Sequence, residues 1–319
     1  MTALTNIATA AGARHSQSQH MDWPMNILSI EKQIQAIAAL TEGMSIRATE
    51  RLTGAHRDTV MRLGVRVGQG CALLHDRMMY GLNIGRIEID ELWAYIGKKQ
   101  AHVTIGEFDK GDAYTFLAMD GTNKAIISHL TGKRNAMNTR HFISDLRQRV
   151  VNQPQITTDG YPHYVDAIQG IFGPQVDYAR LVKNYRSVRG NEAAIRYSPG
   201  AIVSVATQVV SGSRSRPIST SYIERTNLTV RMSQRRFTRL TNGFSKKLEN
   251  HQAAVALFVA HYNLCRVHET LRTTPAMALG VSDHIWSIGE LVNAALAESE
   301  PESPYRKGGP FRVIQGGLS

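Results

Sequence analysis

An α/β fold, with a mixed sheet flanked by helices and a small all-α segment in front of it, is what this sequence predicts. Three observations predict it. Apolar residues recur at helical spacing up to about residue 80. After Gly85 the pattern changes to Ile-rich and alternating runs bounded by turn residues. From there the elements follow in the order β-β-β-α-β-α-β.

Residues 1–23 carry Ala, Ser, Thr, Gln and His without an apolar core and read as a flexible arm. From Met25 a helix is written by Ile27, Leu28, Ile34, Ile37, Ala38 and Leu40. Residues 24–80 together read as a helix-turn-helix domain. Ser45 caps a short helix with Ile46 and Leu52 inward, the Gly of "LTGAH" makes a tight turn, and a second helix starts near Arg57. In such a motif the second helix enters the major groove by its N-terminal part. Here that part offers His56, Arg57, Asp58 and Thr59, with Arg62 one turn on, so Arg57, Thr59 and Arg62 are the candidate DNA contacts. The alternative is an αα-hairpin with a solvated basic face.

"RIEIDELWAYI" is then a strand, and "DAYTFLAMDG" and "KAIISHLTGKR" are two more. A helix follows with Phe142, Ile143, Leu146 and Val150 inward, then a short strand ending at Asp159-Gly160, a helix over "VDAIQGIFG", and a strand over "VDYARLV". Three meandering strands followed by helical crossovers place parallel neighbours under covering helices. Residues 183–220 form a basic insertion with a hairpin-like centre, "AIVSVATQVVSG". Two helices, around "SYIERTNLTVRMSQRR" and "ENHQAAVALFVAHYNLCRVHETL", close a domain over residues 85–281. Residues 282–319 read as a C-terminal helix and a loose, Pro- and Gly-rich tail.

The balance of 37 Lys+Arg against 26 Asp+Glu, a net charge of +11 and a pI near 9.8, favours a polyanionic partner. A hydrophobic share of 42% excludes a disordered chain. Cys71 and Cys265 fit neither a disulfide framework nor a zinc pattern, which suggests a reducing cytoplasm. No stretch reaches the roughly 18 apolar residues of a membrane span, so no membrane partner is expected.

Against this basic background "RIEIDELW" gathers Glu88, Asp90 and Glu91. Alternation puts Glu88 and Asp90 on one face and Glu91 on the other, so at most two of the three aim at one site. Asp90, later in the strand, is nearer the rim where Asp159 ends its own strand. Glu224 opens a helix on which Asn227 and Arg231 share its face. Three convergent carboxylates suit two Mg²⁺ ions, which hard oxygen ligands hold about 3.5 to 4 Å apart for in-line phosphoryl displacement.

With these residues in view the chain resembles a DDE transposase of a bacterial insertion sequence, most nearly the family named after insertion sequence one. The likeness rests on "IEIDELWAYIGKK", "TTDGYPHY", "STSYIERTNLTVRMSQRRFTRLTNGFSKK" and "HYNLCRVHETLRTTPAMALGV". The resemblance implies a ribonuclease-H-like catalytic domain, Mg²⁺-dependent cutting of transposon ends with Mn²⁺ as a substitute ion, and attack of a freed 3′-hydroxyl on target DNA. It places the catalytic, metal-binding triad on Asp90, Asp159 and Glu224. Arg231 matches a basic residue two helical turns past the Glu. Double-stranded DNA and a second copy of the chain are the implied partners. Many members carry a Cys-rich zinc-binding sequence upstream of the helix-turn-helix, and this chain has no cysteine before Cys71.

Further candidate phosphate contacts crowd around Glu224: Asn227, Arg231, Arg235, Arg236, Lys246 and Lys247, with Arg214, Arg216, Arg239, Arg266 and Arg272 near them in sequence. His251, His261 and His268 lack partners at metal-ligand spacing and read as packing or DNA contacts. Trp93 can stack on an unpaired base or sit in the core. The competing functional reading is a helix-turn-helix regulator whose C-terminal domain performs no chemistry, and a third is a nuclease that cuts without joining.

Overall fold

The computed structural model describes residues 28–185, 202–213, 217–237 and 242–299. The expected N-terminal arm and terminal tail lie outside the described residues, as do much of the basic insertion and Arg214, Arg216 and Arg239.

Helices α1 (Ile30–Thr41), α2 (Ile46–Thr53) and α3 (Arg57–Met78) come first. Ser45 caps α2 by accepting from the Ala48 amide at 3.2 Å, and Gly54 ends it in the left-handed region at φ 70°, a conformation that a Cβ disfavours. The inward residues of α2 are Thr49 and Thr53. Leu52, expected inward, is 66% exposed and Ile46 is half-buried, because α2 packs through its threonine side.

The sheet holds β1 (Arg86–Ile96), β2 (Gly111–Asp120), β3 (Ile126–Gly132), β4 (Gln155–Asp159), β5 (Tyr178–Tyr185) and β6 (Ile202–Ser211), in the order β3-β2-β1-β4-β5-β6. β1, β2 and β3 form an antiparallel meander, while β4 runs parallel to β1 and β5 parallel to β4. α4 (Ala136–Arg149) and α5 (His163–Phe172) make the crossovers. This is the ribonuclease-H-like arrangement, an α/β mixed sheet between helical layers. The stretch expected to be hairpin-like is instead the single strand β6, antiparallel to β5, since β5 offers a long free edge for it.

Alternation along β1 sorts the two faces. Ile87 and Ile89 join Phe116 and Ala118 under α4 and α5, with Phe142, Leu146, Tyr164 and Ile168 above them. Leu92 and Ala94 join Leu117 and Met119 under α6 (Ser221–Ser233) and α7 (Leu248–Leu264), which supply Ile223, Val230, Val255, Phe258 and Val259. Helix α7 stops at Leu264, seven residues short of the sequence expectation; a turn and the short α8 (Pro275–Ala278) follow.

The N-terminal helices share a hydrophobic cluster with the sheet: Ile37, Leu63, Val67 and Leu74 belong to the same buried group as Ile87 and Phe142. α3 lies directly on α7 and on α9 (Ile288–Ser299). Gly68 meets the backbone of Ala253 and Gly70 that of Ala295, with no room for a side chain at either contact. No helix among the described residues is long and apolar enough to cross a membrane.

Candidate active site

The site forms where two strands part. β1 and β4 pair only from Arg86↔Gln155 to Glu88↔Thr157, and their ladder goes no further. Between the meander and the parallel strands, at the carboxyl end of β4, the separation opens a crevice of the kind in which α/β sheets hold ligands. A cleft of about 460 Å³ lies there, lined among others by Asp90, Asp159 and Glu224. The three acids predicted from sequence are thus brought together from β1, β4 and α6.

Asp90 is the most constrained of them. Its Oδ1 accepts from the Glu91 amide at 2.9 Å and its Oδ2 from Asn227 Nδ2 at 2.7 Å. Burial pushes its pKa up to about 7, and the charges of Asp159, Glu91 and Glu224 push the same way against the Glu91 amide bond. Asp159, half-buried, accepts from the Tyr161 amide at 2.9 Å through Oδ1, a turn made where the strand ends. Glu224 sits in the first turn of α6; its Oε1 accepts from the Thr220 hydroxyl at 2.5 Å and pairs with Lys183 Nζ.

One acid of β1, Glu91, behaves unlike the expectation. Glu91 does lie on the opposite face from Asp90, toward Tyr164 of α5, yet its carboxylate is not separated from the site. One oxygen each of Asp90, Glu91 and Asp159 fall within 4.8 Å of one another. With the strands parted, side chains from both faces lean into the same gap. Glu91 is 4% exposed in its side chain, and burial followed by the Asp159 charge raises its pKa. Glu88, the nearest rival to Asp90, is fully buried and accepts from the amides of Tyr222 and Ile223 at 2.9 and 3.1 Å. It caps the positive end of α6 in the same first turn that carries Glu224, and is absent from the cleft lining.

Two cations that sequence reasoning missed complete the lining. Arg134, between β3 and α4, donates to Glu91 Oε2 at 3.1 Å, lies 3.5 Å from Asp159 Oδ2, and stacks over the Tyr161 ring at 3.8 Å. Lys183 of β5 pairs with Glu224. The signal in sequence was weak, since each is one Arg or Lys among 37.

The predicted DNA contacts divide. Arg57 and Arg62 are exposed on the first turns of α3, with Thr59 half-buried beside them; Arg235, Lys246 and Lys247 are exposed. Arg231 is half-buried. Asn227 is buried and spends its amide on Asp90, so it serves the acid site instead of a surface; three residues after Glu224, the helix turns it inward onto β1. Arg236 donates to Ser245 Oγ at 2.9 Å and is likewise turned inward. His251 is buried, bonded to that Ser245 and packed on Phe237, with burial pushing its pKa down to about 3; it is a packing residue. Trp93 is half-buried against Tyr95.

Three close carboxylates fit a divalent cation. The three are Asp90, Glu91 and Asp159; their donor set is all oxygen, the charges of Asp159 and Glu91 add to burial in raising the pKa of Asp90, and a hard cation offsets both. A pH test follows. Between its ordinary value of 3.8 and about 7, Asp90 in the folded, ion-free protein keeps a proton that the unfolded chain has released. Its contribution therefore lowers stability as pH rises through that window and levels off above it. In EDTA the urea midpoint of the wild type should fall relative to that of Asp90→Asn between pH 5 and pH 8. Parallel curves for the two proteins would contradict the shift.

No protein-family model matches the chain, and no curated protein sequence matches it. Among solved structures, it is similar to the piggyBac transposase synaptic complex with hairpin DNA, at 11% identity and a TM-score of 0.37, over 88% of this chain and 76% of that one. A pre-cleavage Mos1 transpososome matches at 10% identity and a TM-score of 0.19, over 74% of this chain and 79% of that one. A Mos1 strand transfer complex matches at 11% and 0.19, over 73% and 77%. Superpositions this loose transfer neither site nor activity, which rest on the geometry above.

Proposed function

We propose that this protein is a DDE transposase, of the kind found in bacterial insertion sequences, that binds transposon ends and catalyses divalent-ion-dependent cleavage and strand transfer. The observation that carries this reading is the convergence of Asp90, Asp159 and Glu224 from three separate elements on one open cleft that the cations Arg134 and Lys183 also line. Ions held by the three acids, Mg²⁺ by expectation and Mn²⁺ as a substitute, would activate the attacking oxygen and stabilise the leaving one.

The chain's own residues do the rest. Asn227 and the Glu91 amide hold Asp90 in one orientation. Glu88 fixes the start of α6 and with it the placing of Glu224. Arg134, locked on Tyr161 and between two acids, offers a fixed positive charge where negative charge develops on the phosphoryl oxygens. The exposed Arg57 and Arg62 suit α3 to the major groove, and Arg235, Lys246 and Lys247 suit the region after α6 to phosphates. Two ends must be held together, so the working form in the bacterial cytoplasm is a homo-oligomer.

The test uses labelled DNA taken from the borders of the genomic segment that encodes the chain. Incubated with Mg²⁺ it should give nicked and joined products, and none in EDTA. Cuts without joints would mark a nuclease. DNA bound yet uncut under every divalent ion would favour a regulator and overturn the reading.

A further inference from the structure

Lys183 is a cleft residue whose present partner, Glu224, is a group that the chemistry needs for an ion. Its Nζ pairs with Glu224 Oε1, the oxygen that also accepts from Thr220, and both residues line the cleft. A carboxylate oxygen already shared by an ammonium and a hydroxyl has little left for a divalent ion, so lysine and ion compete for it.

Arg134 is in a different position. Its planar guanidinium is stacked on Tyr161 and tied to Glu91 and Asp159, which leaves it no second place to go. Lys183 carries a compact charge on a flexible four-carbon stem, with its side chain 23% exposed at the mouth of the cleft. When a divalent ion takes Glu224, the displaced ammonium is repelled by that ion, and the anion entering with it is a DNA phosphodiester.

We infer that Lys183 is a substrate-contacting residue with two positions. It lies on Glu224 in the free protein, and on a non-bridging phosphate oxygen of the DNA strand once ion and DNA are bound. The inference rests on the transposase reading and names a further residue for it. No covalent step is involved; the lysine exchanges one anionic partner for another.

Lys183→Gln and Lys183→Arg test it through two readouts besides activity. In calorimetric titration with Mn²⁺ and no DNA, Lys183→Gln should bind the ion about two- to fivefold more tightly, as expected for the loss of one partly exposed competing cation. In binding to border DNA with Ca²⁺ in place of Mg²⁺, the slope of log Kobs against log salt should fall by about 0.9 for Lys183→Gln and keep its wild-type value for Lys183→Arg. Either change without the other overturns the two-position assignment, as does the absence of both; a purely structural ion pair would move only the melting temperature. If the wild type cuts DNA and Lys183→Gln matches it in both readouts, the lysine assignment fails alone. If the wild type binds no DNA with any divalent ion, the transposase reading fails and takes this one with it.

Discussion

Substituting Asp159→Asn will reduce Mg²⁺-dependent strand cleavage and transfer by about 10³-fold or more, since divalent-ion stabilisation of transition-state charge is worth several kcal/mol and each 1.36 kcal/mol is about tenfold in rate. Asp90→Asn and Glu224→Gln will do the same. The amides keep the size of the side chains, and Asp159 and Glu224 are half-buried at a cleft mouth, so the fold should survive. DNA affinity should change little, since the exposed Arg57 and Arg62 stand on α3, outside the cleft lining. Gel analysis of end-labelled DNA measures the first quantity and a mobility shift the second. Glu88→Gln makes a useful contrast. It retains an oxygen for the Tyr222 and Ile223 amides and should leave far more activity than the three cleft variants. Full transfer by any of the three would sink the assignment of that acid.

The second large effect concerns stability. Gly70 lies so close to α9 that an added Cβ would collide with the carbonyl oxygen of Ala295 and stand 2.9 Å from its Cα. Those atoms are backbone and cannot rotate away. Gly70→Val must therefore separate two packed helices and open the cluster that contains Leu291, Val292 and Ala295. Overpacking of this kind costs about 1 to 3 kcal/mol, and this site belongs at the upper end because nothing flexible gives way. A urea denaturation midpoint unchanged from wild type would show that α9 does not pack as described. Gly54→Ala, at an open turn, should instead cost only the strain of a positive φ.

Much of this was legible along the chain. The change of period after Gly85 marks the start of the sheet because helices and strands bury different spacings. Ser45 and the Gly of "LTGAH" show their capping roles in any context, being local chemistry. The order of strands and helices implied the meander and the parallel crossovers, which chain connectivity and handedness leave few ways to satisfy. Phe142, Ile143 and Leu146 were readable as core for the same reason: their spacing places them on one face whatever that face meets.

Partnership was not legible. Leu52 looks inward by its chemistry and is exposed, because burial depends on what the helix packs against. Asn227 shares a helix face with Glu224 and so looked like a DNA contact. Only the approach of α6 to β1 turned that face onto Asp90. Arg134 and Lys183 lie 43 and 41 positions from the acids they meet, Glu91 and Glu224, and no local rule pairs residues at such distances.

By itself the sequence determined the alternation of elements and the caps, and it offered Asp90, Asp159 and Glu224 as candidate acids, since backbone periodicity and turn chemistry act over a few residues. Only the tertiary structure decided how the acids are used. The parting of β1 from β4 lets Glu91 lean into a site that alternation alone would deny it. The packing of α6 commits Glu88 to a helix end instead of the cleft. The cations that answer the remaining charge arrive from distant strands and loops, because electrostatic neutrality is settled by proximity in space and carries no period in sequence.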